Sequence, residues 1–242
     1  MIRSANAGDF CRLITDETLL RIHALWQAYG DVPFIRYYAD DGGSLLAVMD
    51  GVGYYSPADL PTEEWCLFLS MNPDIRHLRC PGRAGEALAE IGGWSVRTGI
   101  VLTYAGSRPE PSSVVCRQPS IPAVYALLKQ CFDSLPPLEA WYPDVSHRVR
   151  HGCCMLASIL EGEQVLSTAM TVAQADGHAL LGQVATHPDY RCRGYAATCI
   201  GDLISRWQGD TLYIIPANEN ARKLYEKLGF RPWDTWAELT RT

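Results

Sequence analysis

Between residues 106 and 113 the chain reads Gly106-Ser107-Arg108-Pro109-Glu110-Pro111-Ser112-Ser113. Two prolines, three serines and a glycine in eight residues hold neither a helix nor a central strand. Proline lacks the amide that both ladders need, and glycine and serine favour turns. No single element crosses this stretch, so it is expected to be a linker between a unit spanning 1–105 and one spanning 114–242. A chain of 242 residues is long enough for two such units, each with its own core. Charge also divides the chain. Residues 1–110 carry 9 arginines and no lysine against 14 acids, while the whole chain carries 21 basic and 27 acidic residues, a net of −6. Mild acidity argues against nucleic acid or an anionic membrane as the partner, because both demand a basic patch.

The nine cysteines are scattered, with only Cys153 and Cys154 adjacent and no C-x-x-C pair. A disulfide framework or a zinc site needs closer, paired spacing, so free thiols in a reducing cytoplasm and no metal are expected. The N-terminus lacks the basic-then-apolar pattern of a signal peptide. No apolar run reaches the roughly 18–20 residues of a membrane span.

The first unit reads as mixed α/β. Residues 17–29 are a helix ended by Gly30. Residues 34–38 and 44–55 are strands turned at Asp41-Gly42-Gly43 and Asp50-Gly51. Thr62 caps a helix that opens with Glu63 and Glu64. Residues 75–80, 84–91 and 100–104 form a strand, a helix and a strand. In the second unit residues 121–132 are a helix with Pro122 in its first turn, and 153–160, 165–173 and 179–186 are strands. Ala196, Cys199, Ile200, Leu203, Ile204 and Trp207 repeat with helical spacing, giving a helix over 195–207. A strand at 211–215, a helix at 221–228 stopped by Gly229 and a strand at 236–239 complete the chain.

Two stretches carry chemistry. Val184-Ala185-Thr186-His187-Pro188-Asp189-Tyr190-Arg191-Cys192-Arg193-Gly194-Tyr195-Ala196 runs from a strand through a turn into a helix. The first amides of a helix lack intrahelical partners and carry the positive end of its dipole, so they can hold a phosphate. Gly194 and Ala196 keep the approach small, and Arg191 and Arg193 add positive charge. In the second stretch Asn218 stands at a helix N-cap, and Tyr225 lies two turns on along the same face, where a phenol could donate a proton.

Together these stretches resemble the GNAT superfamily of N-acetyltransferases. Arg191-Cys192-Arg193-Gly194-Tyr195-Ala196 fits the family's acetyl-CoA motif, Gln/Arg-x-x-Gly-x-Gly/Ala. Asn218, Ala221, Tyr225, Lys227, Gly229 and Phe230 fit its later Asn-x-x-Ala-x-x-x-Tyr-x-Lys-x-Gly-Phe pattern. The resemblance covers residues 114–242 and implies an α/β (α+β) fold, with a mostly antiparallel mixed sheet flanked by helices. In such a sheet the fourth strand splays from the fifth. It implies that Val184 and Thr186, with Ala185 between them, meet the pantetheine arm of acetyl-CoA. The amides of Cys192 to Ala196 would hold its pyrophosphate, Asn218 would contact the pantetheine, and Tyr225 would be the general acid to the departing thiolate. An amine would attack the thioester directly, while backbone amides of the splayed strand polarise the carbonyl.

One departure matters. Some relatives place a glutamate base early on the fourth strand, whereas His178-Ala179-Leu180-Leu181-Gly182-Gln183 holds no carboxylate. His178, His187, a water ordered by Gln183, or an amine that arrives already neutral are the alternatives. On the acceptor side, residues 135–148 hold three prolines and are expected to form a loop. Its Glu139, Trp141, Tyr142 and Asp144 could receive a cationic amine, the alternative being a solvated loop that packs its aromatics on the core. The first unit also contains Arg79-Cys80-Pro81-Gly82-Arg83-Ala84, but Pro81 removes an amide that a phosphate would need, and no Asn…Tyr stretch follows. That unit is expected to be a smaller, degenerate GNAT-like domain that supports the second and walls its acceptor cleft. The expected activity is acetyl transfer from acetyl-CoA to a small-molecule or protein amine. The rival is a non-catalytic acyl-CoA sensor, and a homodimer stays open.

Overall fold

The computed structural model describes residues 1–242. In chain order the elements are β1 (Arg3–Ser4), α1 (Glu17–Tyr29), β2 (Ile35–Ala39), β3 (Leu45–Met49), β4 (Val52–Ser56), α2 (Glu63–Met71), β5 (His77–Pro81), α3 (Gly82–Ala89) and β6 (Trp94–Tyr104). There follow α4 (Ile121–Cys131), α5 (Leu138–Arg150), β7 (Leu156–Glu161), β8 (Gln164–Ala175), β9 (His178–Thr186), α6 (Tyr195–Arg206), β10 (Thr211–Ile214), α7 (Glu219–Lys227) and β11 (Phe230–Arg241). The chain divides into two compact units, one of Met1–Leu102 with Pro232–Thr242, the other of Thr103–Arg231. Residues 106–113 therefore fall inside the second unit, and the C-terminal segment returns to the first.

In the first unit β2, β3 and β4 form an antiparallel meander. Asp50 and Gly51 both take positive φ, the conformation that a tight two-residue hairpin demands. After β4 the chain passes through α2 and returns as β5, parallel to β4. β5 then pairs antiparallel with β11, Pro81 opposite Trp236 and His77 opposite Thr240. Side chains alternate across the sheet. Ile35, Tyr37, Leu45 and Ala47 pack with Leu19 and Ile22 of α1. Leu46, Val48 and Tyr55 pack with Trp65 and Leu69 of α2 and with Leu88 of α3. Helix α3 lies hard against β11: a Cβ on Gly85 would overlap that of Ala237, and one on Gly82 would overlap the Thr235 hydroxyl.

The second unit repeats this order. β7, β8 and β9 form an antiparallel meander, α6 follows, and β10 returns parallel to β9. On one sheet face Val124 and Leu128 of α4 and Trp141 and Val145 of α5 pack against Leu156, Val165, Met170 and Ala185. Helix α6 contributes the buried stripe Cys199, Ile200, Leu203 and Ile204, the residues that its periodicity selects.

The expected loop over 135–148 is a helix from Leu138 to Arg150 instead. Pro137 precedes it, and Pro143 lies inside, where its missing amide forfeits one internal bond. Burial of Trp141 and Val145 at helical spacing outweighs that loss. The strand expected at 236–239 extends over 230–241, and the one expected at 100–104 begins at Trp94.

Candidate active site

β9 pairs with β10 only from His178 to Leu181, opposite Thr211 to Ile214. Beyond Leu181 the edge of β9 has no partner on the β10 side, which is the splay between neighbouring parallel strands. On its other edge β9 stays paired to β8, with Ala185 opposite Thr168 and Thr186 opposite Ser167. The His187 amide donates to the Leu166 carbonyl at 2.8 Å. Strand alternation therefore turns the backbone groups of Val184 and Thr186 away from β8, to the open edge. The Thr186 carbonyl already accepts from Arg191 Nε at 3.3 Å, and the Ala185 carbonyl from the Ser167 hydroxyl at 2.9 Å.

The register of β9 shifts between Gly182, opposite Met170, and Ala185, opposite Thr168. Gln183 and Val184 thus stand against Ala169 alone, a β-bulge, and Gln183 takes a φ of +47°. No sequence motif marks this bulge. A glycine inside an apolar strand, Gly182, was its available signal.

After β9 a short 3-10 turn over Pro188–Tyr190 leads to α6. Cys192 takes a φ of +60° and Gly194 a φ of +81°, so the loop is tightly coiled before the helix starts. Gly194 is the N-cap and supplies no side chain to the helix amides. A Cβ there would meet nothing within 4 Å. The first amides of α6 therefore face open space, unlike those of α2, where the Thr62 hydroxyl accepts from Trp65 and Glu63 and Glu64 fill the first turn. Thr186, Tyr190 and residues 191–197, together with Leu224 of α7, line a cavity of about 240 Å³. Arg191 and Arg193 are exposed at its mouth. Arg193 lies 4.9 Å over the Tyr190 ring, whose hydroxyl donates to Glu161 at 2.9 Å.

Helix α7 places the second motif. Asn218 caps it, Oδ1 accepting from the Ala221 amide at 2.9 Å, which leaves its NH2 group for another partner. Tyr225 is 5% exposed, and burial pushes its phenol up to about 12. It keeps its proton throughout the neutral range and can only donate there. Of the acceptor-side residues, Trp141 belongs to the core, 4% exposed and 5.3 Å from the Tyr125 ring, which corrects its candidate role in receiving an amine and leaves core packing. Glu139 and Tyr142 are exposed on the same helix, α5. His178 sits at the start of β9 with Nδ1 2.9 Å from the Asp176 carbonyl.

The string Arg79–Ala84 lies at the β5–α3 junction. In the shared order that junction corresponds to β10–α7, not to the β9–α6 phosphate turn. Gly82, Ala84 and Gly85 are buried, so in the first turn of α3 only Arg83 is exposed.

A mixed sheet with one splayed parallel pair, a bulge at the split and an uncapped helix N-terminus beside it defines the acyltransferase fold of the GNAT type. Residues 121–230 match the model of the acetyltransferase (GNAT) family. Solved structures similar to the whole chain include a GCN5-related N-acetyltransferase from Kribbella flavida, 17% identical with a TM-score of 0.62, covering 93% of this chain and 95% of that one. A GNAT-family acetyltransferase from Novosphingobium aromaticivorans is 18% identical with a TM-score of 0.57, covering 94% of this chain and all of that one. A tandem GNAT protein from the clavulanic acid biosynthesis pathway is 14% identical with a TM-score of 0.57, covering 92% and 93%. No curated protein matches the sequence. No helix is long and apolar enough to cross a membrane.

Proposed function

We propose that the second unit is an acetyl-CoA-dependent N-acetyltransferase acting on a small-molecule or protein amine, and that the first is a non-catalytic copy of the same fold. The observation that carries the reading is the open, uncapped start of α6, with Gly194 at positive φ next to the split between β9 and β10. The residues fit a pyrophosphate: free helix amides from Cys192 to Ala196, no Cβ in the way, and two arginines at the mouth. Acetyl-CoA, when bound, supplies an acyl group on a thioester and a thiolate leaving group. Val184 and Thr186 offer backbone groups to its pantetheine along the open edge of β9, Ala185 lies between them, and the free NH2 of Asn218 is a further donor. Tyr225 holds the proton for the thiolate. The reaction forms a C–N bond and breaks a C–S bond. The amine gives up one proton and the thiolate gains one, so no further reactant is needed. All nine cysteines are free thiols, which suits a reducing cytoplasm.

In the first unit the helix equivalent to α6 is α2. Its start is closed by Thr62 and made negative by Glu63 and Glu64, which disfavours a phosphate there. The test is release of CoA from acetyl-CoA on addition of a panel of amines, with wild type and Tyr225→Phe compared. Amine-dependent release that falls by about 100-fold in the variant is expected of a general acid. Tight acetyl-CoA binding with no release toward any amine would replace the enzyme with a sensor.

A further inference from the structure

Gln183 stands where β9 leaves β10 and where it bulges against β8. Its left-handed φ of +47° is costly for a residue with a Cβ. Its side-chain oxygen Oε1 is buried and has no hydrogen-bond partner. A left-handed backbone and an unpaired buried acceptor thus coincide at the split of the sheet. The other groups near the strand are engaged or distant. His178 is five residues away, about 16 Å along an extended strand. His187 Nδ1 accepts from the Asp189 amide at 3.4 Å and lies 3.9 Å from the Asp189 carboxylate. Across the bulge β8 presents Thr168, Ala169 and Met170, none of them titratable near neutrality. Arg148, which donates to the Val172 carbonyl, is paired with Asp144 on its own helix. On α7, Tyr225 keeps its proton, and on α4 the Cys131 thiol donates to the Thr186 carbonyl at 3.6 Å.

We propose that Gln183 is the positioning residue for the acceptor: Oε1 accepts one N–H of the incoming amine and so orients its lone pair. This rests on the acetyltransferase reading above. An amide oxygen orients an amine but takes no proton from it, so the amine must arrive neutral. The acceptor class is therefore a weakly basic amine. An α-amino group with a pKa near 7.7–8.0 has a far larger neutral fraction at pH 7 than a lysine ε-amine near 10.4, by about 200- to 400-fold.

The test compares wild type, Gln183→Met and Gln183→Glu with amines of graded pKa. Three quantities are measured: CoA release, the thermal shift with acetyl-CoA, and calorimetric binding of the amine to the protein saturated with CoA. In wild type the rise of kcat/KM with pH is expected to follow each amine's own pKa. Gln183→Met keeps the side-chain volume and the acetyl-CoA thermal shift but loses about 10- to 100-fold in kcat/KM, and it binds the amine more weakly to the CoA complex. Gln183→Glu keeps an acceptor oxygen and is expected to recover most of that loss, with a pH profile that no longer follows the amine. Gln183→Met within twofold of wild type, or one pH profile shared by all amines in wild type, overturns the inference and leaves the acetyltransferase reading standing. A wild type that releases no CoA with any amine overturns that reading, and the inference with it.

Discussion

Glu17 lies 3% exposed beneath Arg21 and Arg79, with Nε of each arginine 2.7–2.8 Å from a carboxylate oxygen. Burial alone would raise its carboxyl, but the two guanidiniums outweigh burial and hold it below the usual 4.5. A lowered folded value means that stability from this group is in place above about pH 4.5 and is lost as pH falls through the folded value. Glu17→Gln leaves two arginines facing an uncharged partner and is expected to cost the first unit about 3–5 kcal/mol at pH 7. In urea unfolding the gap between variant and wild type should shrink at pH 3. A gap of equal size at both pH values would contradict the assignment. Only the Glu17–Arg21 half of this cluster, four residues apart on one helix, is legible in the sequence, because Glu17 and Arg79 meet only through the fold. Gly194 and Asn218 were legible because helix ends are local chemistry, written in a few consecutive residues. Gln183 was not, since a bulge is a property of two strands and the sequence displays only one of them.

Helix ends set the geometry of the second motif. Asn218 satisfies the Ala221 amide, so Asn218→Ala is expected to cost about 0.5–2 kcal/mol in chemical unfolding, whatever it also does to CoA affinity. Were stability unchanged, the cap would be idle and the side chain kept for ligand alone. Gly85 tests another element. Helix α3 sits so close to β11 that Gly85→Ala must push the helix away from Ala237, and a loss of about 1–3 kcal/mol is expected in the first unit. The string Arg79–Ala84 thus resembles the phosphate motif in letters only: its glycine serves helix–strand contact. Most elements were readable from periodicity, α1 and α6 nearly to the residue. Helix α5 was not, because three prolines suggested a loop. Pro137 marks its entry, and the spacing of Trp141, Val145 and Val149 was the signal that outweighs Pro143.

The two units share one order of strands and helices, yet only one keeps an open helix start beside its splayed strand. On the proposed reading, that asymmetry leaves one cofactor site for two units of similar order. The break at 106–113 was legible as an interruption of structure, but the return of the C-terminus to the first unit was not, because no local pattern records which strand β11 joins. A fragment of residues 1–105 lacks β11, including the fully buried Ala237 and Leu239. Loss of Leu239 alone costs about 2–5 kcal/mol against a total of about 5–15 kcal/mol, so the fragment is expected to be unfolded by circular dichroism. A fragment in which residues 232–242 are rejoined to residue 102 through a flexible linker is expected to fold. The central claim, that the start of α6 holds acetyl-CoA, is tested most directly by thermal unfolding of the whole protein with and without that ligand, beside Gly194→Glu. Wild type is expected to gain about 2.7 kcal/mol at 100 times the dissociation constant, and the variant, whose lower baseline stability from the positive φ at 194 is measured without ligand, is expected to gain nothing. No gain in wild type at millimolar acetyl-CoA, or an equal gain in the variant, would contradict it.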